Sequence, residues 1–442
     1  MKRKQKSGME NRTDQGIYDA KVLGVPKILL LGLQHTFAMF GATVLVPLVT
    51  GLDVSTTLLM AGLGTLLFHF VTRGKVPAFL GSSFAFLGGY AAVAPMVDGV
   101  PNTEMLPYAC GGVVAAGLLY LLLSALIRAF GVNRVMRFFP PVVVGPIIIA
   151  IGLILAPSAI ANCSTDWFLA VIALAVIVIC NIWGKGMIKI IPIMMGVLVS
   201  YVAALVMGKV DFTAVAQTAG QGIYGGLFAI PLHRANFARF DLSAVLTIMP
   251  IALATMMEHI GDISAISATT GRNYIADPGL HRTLLGDGLA TSLAALFGGP
   301  ANTTYGENTG VLVLSRVYDP LVVRVAACFA IVLSFFPCFA ELIRSIPSAI
   351  IGGVSLILYG MISAIGVRNM VENQVDLTRS RNLIIAAVIL VSALGFNDIG
   401  GITFYVGGYG ITLSGLAIAA VLGIVLNAVL PGNDYVFDKN AA

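Results

Sequence analysis

GGPANTTYGENTGVLVL, residues 298 to 314, places an acid inside an apolar run: Gly298, Gly299, Pro300 and Asn302 come before Glu307, and Val311 to Leu314 follow it. Glycine and proline disfavour a continuous helix, and proline has no N–H to contribute to one. The stretch therefore predicts an extended segment followed by a half-helix that starts near Glu307. Non-helical backbone at membrane depth must be buried in protein or line a cavity. An ionised group there costs about 2.5 to 3.5 kcal/mol or more on insertion scales. Such a segment points to a transport site in a helical membrane protein, provided the rest of the chain supplies the spans.

It does. Of the 442 residues, 58% are hydrophobic and 11% charged, against about a quarter charged in an ordinary soluble domain. About 20 apolar residues cross a bilayer as a helix. Blocks of roughly that size fall near 28-49, 55-71, 77-95, 108-130, 139-156, 166-184, 188-208, 242-267, 283-298, 300-317, 319-339, 347-366, 382-397 and 402-430, fourteen in all. An even number puts both termini on one side. Lys2, Arg3, Lys4, Lys6 and Arg12 mark that side as cytoplasmic. Of the 26 basic residues only Lys209, Arg234, Arg239 and Arg344 fall in the opposite loops, leaving 22 on the cytoplasmic side. No cleavable signal peptide is expected, because the basic tail runs into a full-length span.

The net charge of +5 fits cytoplasmic loops facing anionic lipid and gives no argument for nucleic acid. Cys110, Cys163, Cys180, Cys328 and Cys338 show no CxxC spacing, so core thiols are expected, with no disulfide and no metal.

Two segments organise the chain. Leu33 to Val44 (LQHTFAMFGATV) aligns with Met257 to Ala268 (MEHIGDISAISA), so Gln34 falls on Glu258 and His35 on His259, an offset of 224. The same offset carries Gly81-Ser82-Ser83-Phe84 onto Tyr305-Gly306-Glu307-Asn308. A third pair, Phe139 to Ile149 and Ile346 to Leu356, repeats a proline start and an internal glycine at an offset of 207. Seven spans per half is an odd number, so the second copy runs through the membrane inverted, as in secondary transporters. The expected parts are a cytoplasmic tail (1-24), a first repeat (25-210), an inter-repeat loop (211-240), a second repeat (241-431) and a cytoplasmic tail (432-442). The two irregular stretches are expected to pair near the midplane, each leading to a helix N-terminus with N–H donors to offer.

Glu258 follows an apolar run and stands four residues before Asp262, so the two carboxylates share a helix face. Two close acids tend not to ionise together, which favours one holding a proton. A bland alternative stays open for each group. Glu307 serves stability at a packing kink, Asp262 only hydrogen-bonds a neighbouring helix, and His35 and His259 are satisfied core histidines. Glu-His-x-x-Asp is no zinc motif, since HExxH needs two histidines. Ser82 and Ser83 have no evident base partner, so a hydrolase is weakly supported.

With these residues in view, the chain from about 25 to 431 resembles the uracil permease branch of the nucleobase/ascorbate transporter family. The resemblance is carried by QHTFAMFGATVLVPLVTGL at 34-52, GSSFAF at 81-86, EHIGD at 258-262, TTYGENTGVLVLSRVYDP at 303-320 and GGVSLILYG at 352-360. It implies fourteen segments in a seven-plus-seven inverted repeat, with segments 1-4 and 8-11 as a core and 5-7 and 12-14 as a gate. It also implies proton-coupled nucleobase uptake across the cell membrane, by a homodimer, with no cofactor beyond the proton. Glu258 and Glu307 then bind the base, the amides of Phe84 and Gly306 meet its carbonyls, and Tyr305 and Tyr359 line the pocket. Ser83 stands opposite Glu307 across the repeat and joins them as a candidate.

Two positions depart from the family pattern. Asp262 stands where uracil permeases carry a histidine linked to proton coupling, so that role is expected of Glu258, Asp262 and Glu307 together. Ser315 replaces a threonine and keeps its hydroxyl. A xanthine or uric acid carrier on the same scaffold is the alternative, and an anion transporter of similar fold is a more distant one.

Overall fold

The computed structural model describes residues 16–95, 100–406 and 409–432. The basic residues Lys2 to Arg12 and the segment 433–442 lie outside the described residues, as does the side chain of Glu307.

In chain order the long elements are α1 (Val25–Thr50), α2 (Val54–Val71), β1 (Leu80–Ser82), α3 (Leu87–Val93), α4 (Leu106–Phe130), α5 (Pro141–Ser164), α6 (Trp167–Trp183), α7 (Pro192–Val206), α8 (Leu242–Ile248), α9 (Ala252–Thr270), α10 (Leu280–Leu296), β2 (Asn302–Thr304), α11 (Gly306–Ser315), α12 (Pro320–Ser334), α13 (Pro337–Arg344), α14 (Ser348–Glu372), α15 (Ser380–Asp398), β3 (Ile402–Val406), β4 (Tyr409–Leu413) and α16 (Gly415–Val429). Among the described residues seven helices are long and apolar enough to cross a membrane, or eight if the bent pair α12 and α13 counts as one span. The chain is a mostly helical, multi-pass membrane protein.

Local chemistry accounts for the helix starts. Pro26, Pro107, Pro141, Pro192, Pro320 and Pro337 occupy first-turn positions, where a missing N–H costs nothing. Asp53, Asp241 and Asp319 cap α2, α8 and α12 by accepting from Thr56 N (2.6 Å), Ala244 N (3.1 Å) and Leu321 N (2.9 Å).

Two groups of helices emerge from the packing. In one, α1, α2 and α4 lie against α10 and α12, and in the other α5, α6 and α7 lie against α14 and α15. Close approach needs small residues where helices cross. A Cβ on Gly117 of α4 would sit 2.7 Å from the Gly288 carbonyl of α10, and one on Gly152 of α5 would sit 2.1 Å from the Tyr359 carbonyl of α14.

β1 and β2 join the two halves of the chain. They pair antiparallel, with Leu80 opposite Thr304, Gly81 opposite Thr303 and Ser82 opposite Asn302. The bonds Ser83 N to Ala301 O (2.8 Å) and Tyr305 N to Phe79 O (2.9 Å) extend the ladder at both ends. All six strand residues are buried, as irregular backbone inside a membrane protein requires.

Three features differ from the sequence reading. At the 298–315 stretch the half-helix α11 starts directly after β2, but after β1 residues 84–86 form a bend and turn before α3 begins at Leu87. The block read at 319-339 is two helices that meet at 90°, because Pro337 starts a new helix and α12 ends at Ser334. The block read at 402-430 opens with the hairpin β3–β4 and becomes helical only at Gly415. The hairpin is anchored at Thr412, whose N–H donates to Thr247 Oγ1 of α8 at 3.4 Å.

The described end of the N-terminal tail is also fixed. Ile17 N donates to Arg316 O (2.8 Å), Tyr318 N donates to Ile17 O (2.7 Å), and Ala20 N donates to Asp319 Oδ2 (2.7 Å).

Candidate functional site

The strand pair, α9 and α14 bring most of the sequence-selected residues to one place. Asp262 on α9 is buried, and Thr304 Oγ1, at the end of β2, donates to its Oδ2 at 2.9 Å. A Cβ added to Gly306, the first residue of α11, would lie 3.6 Å from Asp262 Oδ1. The carboxylate therefore faces a helix N-terminus, where the unsatisfied amides and the positive end of the dipole favour negative charge. Glu258 lies one turn earlier on the same helix and is half-buried. Glu307 is the second residue of α11.

Ser83 and Phe84 follow β1. Ser83 is buried, its amide is spent on Ala301 O, and its Oγ has no hydrogen-bond partner among the described residues. Phe84 meets Tyr359 of α14 edge-on, with ring centroids 5.6 Å apart and an interplanar angle of 74°. That contact links the two groups of helices at the site, and Tyr359 is itself 2% exposed.

Tyr305 is placed differently from the other candidates. Its hydroxyl donates to the Ser82 carbonyl at 3.0 Å and accepts from Thr43 Oγ1 at 3.3 Å. The ring lies where a Cβ on Gly81 would meet it at 2.5 Å. Tyr305 thus clasps β1 from beneath, and glycine at position 81 leaves room for it.

His35 and His259 are both fully buried and both held. Asn308 Nδ2 donates to the His35 carbonyl (3.3 Å) and lies 3.2 Å from its Nδ1. His259 Nδ1 lies 3.1 Å from Asp287 Oδ2 on α10 and 3.5 Å from Thr304 Oγ1.

Asp287, Thr304 and Asn308 did not emerge as candidates from the sequence. Asp287 carried a usable signal, an acid inside the apolar block LLGDGLATSLAAL. The two others are ordinary polar residues until the fold shows what they touch. Among the described residues no group of three or more His, Cys, Asp or Glu side chains is arranged to hold a metal ion.

This geometry offers acceptors (the α9 carboxylates), donors (the start of α11) and an aromatic pair, a set suited to a small planar polar molecule.

Comparison with known proteins shows the family. A sequence model described as the permease family matches residues 26–399. A uracil permease of Bacillus caldolyticus is 41% identical over 426 residues, covering 93% of this chain and 95% of the relative. A uracil permease of Bacillus subtilis is 40% identical over 416 residues, covering 90% and 91%.

Among solved structures, the transmembrane domain of a cyanobacterial bicarbonate transporter, BicA, superposes with a TM-score of 0.64 at 14% identity, covering 93% of this chain and 99% of that one. SLC26A9 gives a TM-score of 0.66 at 12% identity, covering 93% and 66%. At such identities the likeness is one of fold.

Proposed function

This chain belongs to the permease family that matches it, the nucleobase/ascorbate transporters, and on that premise we propose that it imports uracil together with a proton. Its relatives are named permeases, and it is a transporter rather than an enzyme. The observation that carries the substrate reading is the meeting of Asp262 and the start of α11, one turn from Glu258 and beside the paired strands. Uracil alternates N–H donors with C=O acceptors. Carboxylates of α9 and α11 accept from the ring N–H groups, and amides near Phe84 and at Gly306 donate to the carbonyls. An analogue with a mismatched edge leaves buried partners unpaired, which disfavours it strongly.

Proton symport is supported by Glu258 and Asp262 standing four residues apart on α9 and by Asp262 lying against the start of α11, whose second residue is Glu307, since adjacent acids share protons readily. Alternating access is supported by the division into two helix groups touching at Phe84 and Tyr359. In this reading the two halves, 25–210 and 241–431, form an inverted seven-plus-seven repeat. Segments 1-4 and 8-11 then move as a core against a gate of 5-7 and 12-14. The same reading makes it a homodimer in the cell membrane with both termini cytoplasmic.

Uptake of labelled uracil into proteoliposomes under an imposed pH gradient tests the proposal, with thymine, xanthine and uric acid as competitors. Glu258→Gln and Glu307→Gln are each expected to lower uptake at least tenfold, the loss of one charge-assisted hydrogen bond. Unchanged uptake in both variants, or a stronger effect of xanthine than of uracil itself, overturns it.

A further inference from the structure

Basic residues from three helices gather at the end of α2, on the side that the proposed topology makes cytoplasmic. Arg73 and Lys75 lie in the turn that closes the helix. Arg282 of α10 donates from Nη1 to the Val71 carbonyl at 3.1 Å. Arg324 of α12 lies against the same turn, where a Cβ added to Gly74 would sit 3.9 Å from its Nη1.

The end of α2 has no use for Arg324. A helix leaves its last four carbonyls without intrahelical donors, and here each is met by another group. Phe68 O accepts from Thr72 N (2.9 Å), His69 O from Gly74 N (2.6 Å), Phe70 O from Arg73 N (3.2 Å) and Val71 O from Arg282. The acids of the adjoining turns are engaged as well. Lys75 Nζ donates to both oxygens of Asp277, at 2.6 and 2.5 Å. Asp319 accepts from the amides of Ala20 and Leu321. Among the described residues no hydrogen bond or ion pair engages Arg324, and its Nε is enclosed. A guanidinium stays charged, and a charge enclosed without a partner is costly.

The place of Arg324 says what can meet it. It stands about 6 Å along α12 from the helix start, at 1.5 Å per residue, and α12 is one arm of the bent pair that can cross the membrane. Cys328 and Val332, one and two turns further on, share its face and are exposed. That face of a span meets lipid. Ala327, on the adjoining face, packs against α2, where a Cβ on Gly62 would lie 2.6 Å from its carbonyl. Arg324 therefore sits at the lip of the groove between α2 and α12. Phe70, 83% exposed on the last turn of α2, adds apolar surface at the same end.

We propose that Arg324 binds the headgroup phosphate of an anionic bilayer phospholipid, with the acyl chains lying along the Cys328 and Val332 face of α12. A guanidinium can hold phosphate through two parallel N–H bonds, and Arg73 adds positive charge. Basic pockets between spans on the cytoplasmic side favour anionic headgroups. A soluble phosphate offers the same anion but nothing to set against the apolar face.

The test counts lipids bound to the purified protein by native mass spectrometry, in a nonionic detergent titrated with phosphatidylglycerol or with phosphatidylcholine of the same chains. Wild type is expected to hold phosphatidylglycerol the more tightly. Arg324→Gln weakens that binding about fivefold, the contribution of one basic residue near the membrane surface, and leaves phosphatidylcholine unchanged. Arg324→Lys keeps the charge without the planar fork and falls between the two. Arg134→Gln, which removes an exposed arginine beyond α4, keeps the wild-type preference. Excess inorganic phosphate leaves the lipid bound.

Equal retention of the two lipids by wild type, or equal losses in Arg324→Gln and Arg134→Gln, overturn the proposal. Displacement of phosphatidylglycerol by inorganic phosphate assigns Arg324 to a soluble anion and overturns it too. If the glutamine variant does not fold, Arg324→Lys decides, and a preference equal to wild type removes the guanidinium from the site. The readout involves no transport, so its failure leaves the uracil reading untouched.

Discussion

Phe84 and Tyr359 touch edge-to-face at 5.6 Å across the boundary between the two helix groups, one ring on the turn that follows β1 and the other standing on α14. An edge-to-face pair is worth about 0.5 to 1.5 kcal/mol beyond its buried area, which corresponds to roughly a 2- to 12-fold change in an equilibrium constant. If this pair closes the site over the substrate, Tyr359→Ala raises the KM for uracil by that order. Tyr359→Phe keeps the ring and stays within about twofold of wild type. Transport kinetics of the two variants decide it, and equal KM values for alanine and wild type remove Tyr359 from the site.

Tyr305 yields an expectation of the opposite kind. Its hydroxyl is committed to Ser82 O and Thr43 Oγ1, so Tyr305→Phe should cost about 0.5 to 1.5 kcal/mol of stability with little change in substrate preference. Gly81→Ala is more severe. The new Cβ would meet the Tyr305 ring at 2.5 Å and Thr43 Oγ1 at 2.8 Å, and overpacking of a well-filled interior costs about 1 to 3 kcal/mol. Thermal unfolding in detergent is expected to rank wild type above Tyr305→Phe and that above Gly81→Ala. A Tyr305→Phe protein with unchanged Tm and altered base selectivity instead returns Tyr305 to the pocket.

The broken spans were legible because glycine, proline and asparagine interrupt a helix, and lipid leaves the freed backbone groups no water to bond. The approximate places of Glu258, Asp262 and Gly306 followed from the same constraint. Other features were beyond local pattern. Asp262 and Thr304 are 42 residues apart, and it is the packing of β2 against α9 that brings the hydroxyl to the carboxylate.

Aligning Ser83 with Glu307 was sound as sequence and inexact as structure. A turn delays α3, so Ser83 lies ahead of its helix while Glu307 is already helical. The hairpin at 402–413 was concealed by its apolarity. ITFYV and YGITL, rich in β-branched and aromatic residues around Gly407 and Gly408, carry a strand signal that a hydropathy window cannot separate from a span.

Outside the membrane, the Asp166–Lys209 pair offers a pH-dependent stability contribution whose sign can be worked out. Asp166 caps α6 by accepting from Phe168 N (3.1 Å) and Leu169 N (3.4 Å), and its Oδ2 pairs with Lys209 Nζ in the loop after α7. The Lys209 hydrogen bond, ahead of those from the capping amides, holds the carboxyl below its ordinary 3.8. A group whose folded value is depressed contributes stability that is present above the unfolded value and lost as pH falls through the folded one.

Asp166→Asn keeps a good cap and removes the charge that Lys209 meets. The variant should therefore melt below wild type at pH 7 and equally so at pH 5, with the gap closing only as pH drops below 3.8. Melting curves at pH 7, 5 and 3 provide the check. A gap that is absent at pH 7, or that survives undiminished at pH 3, shows that the ion pair does not stabilise this edge of the protein.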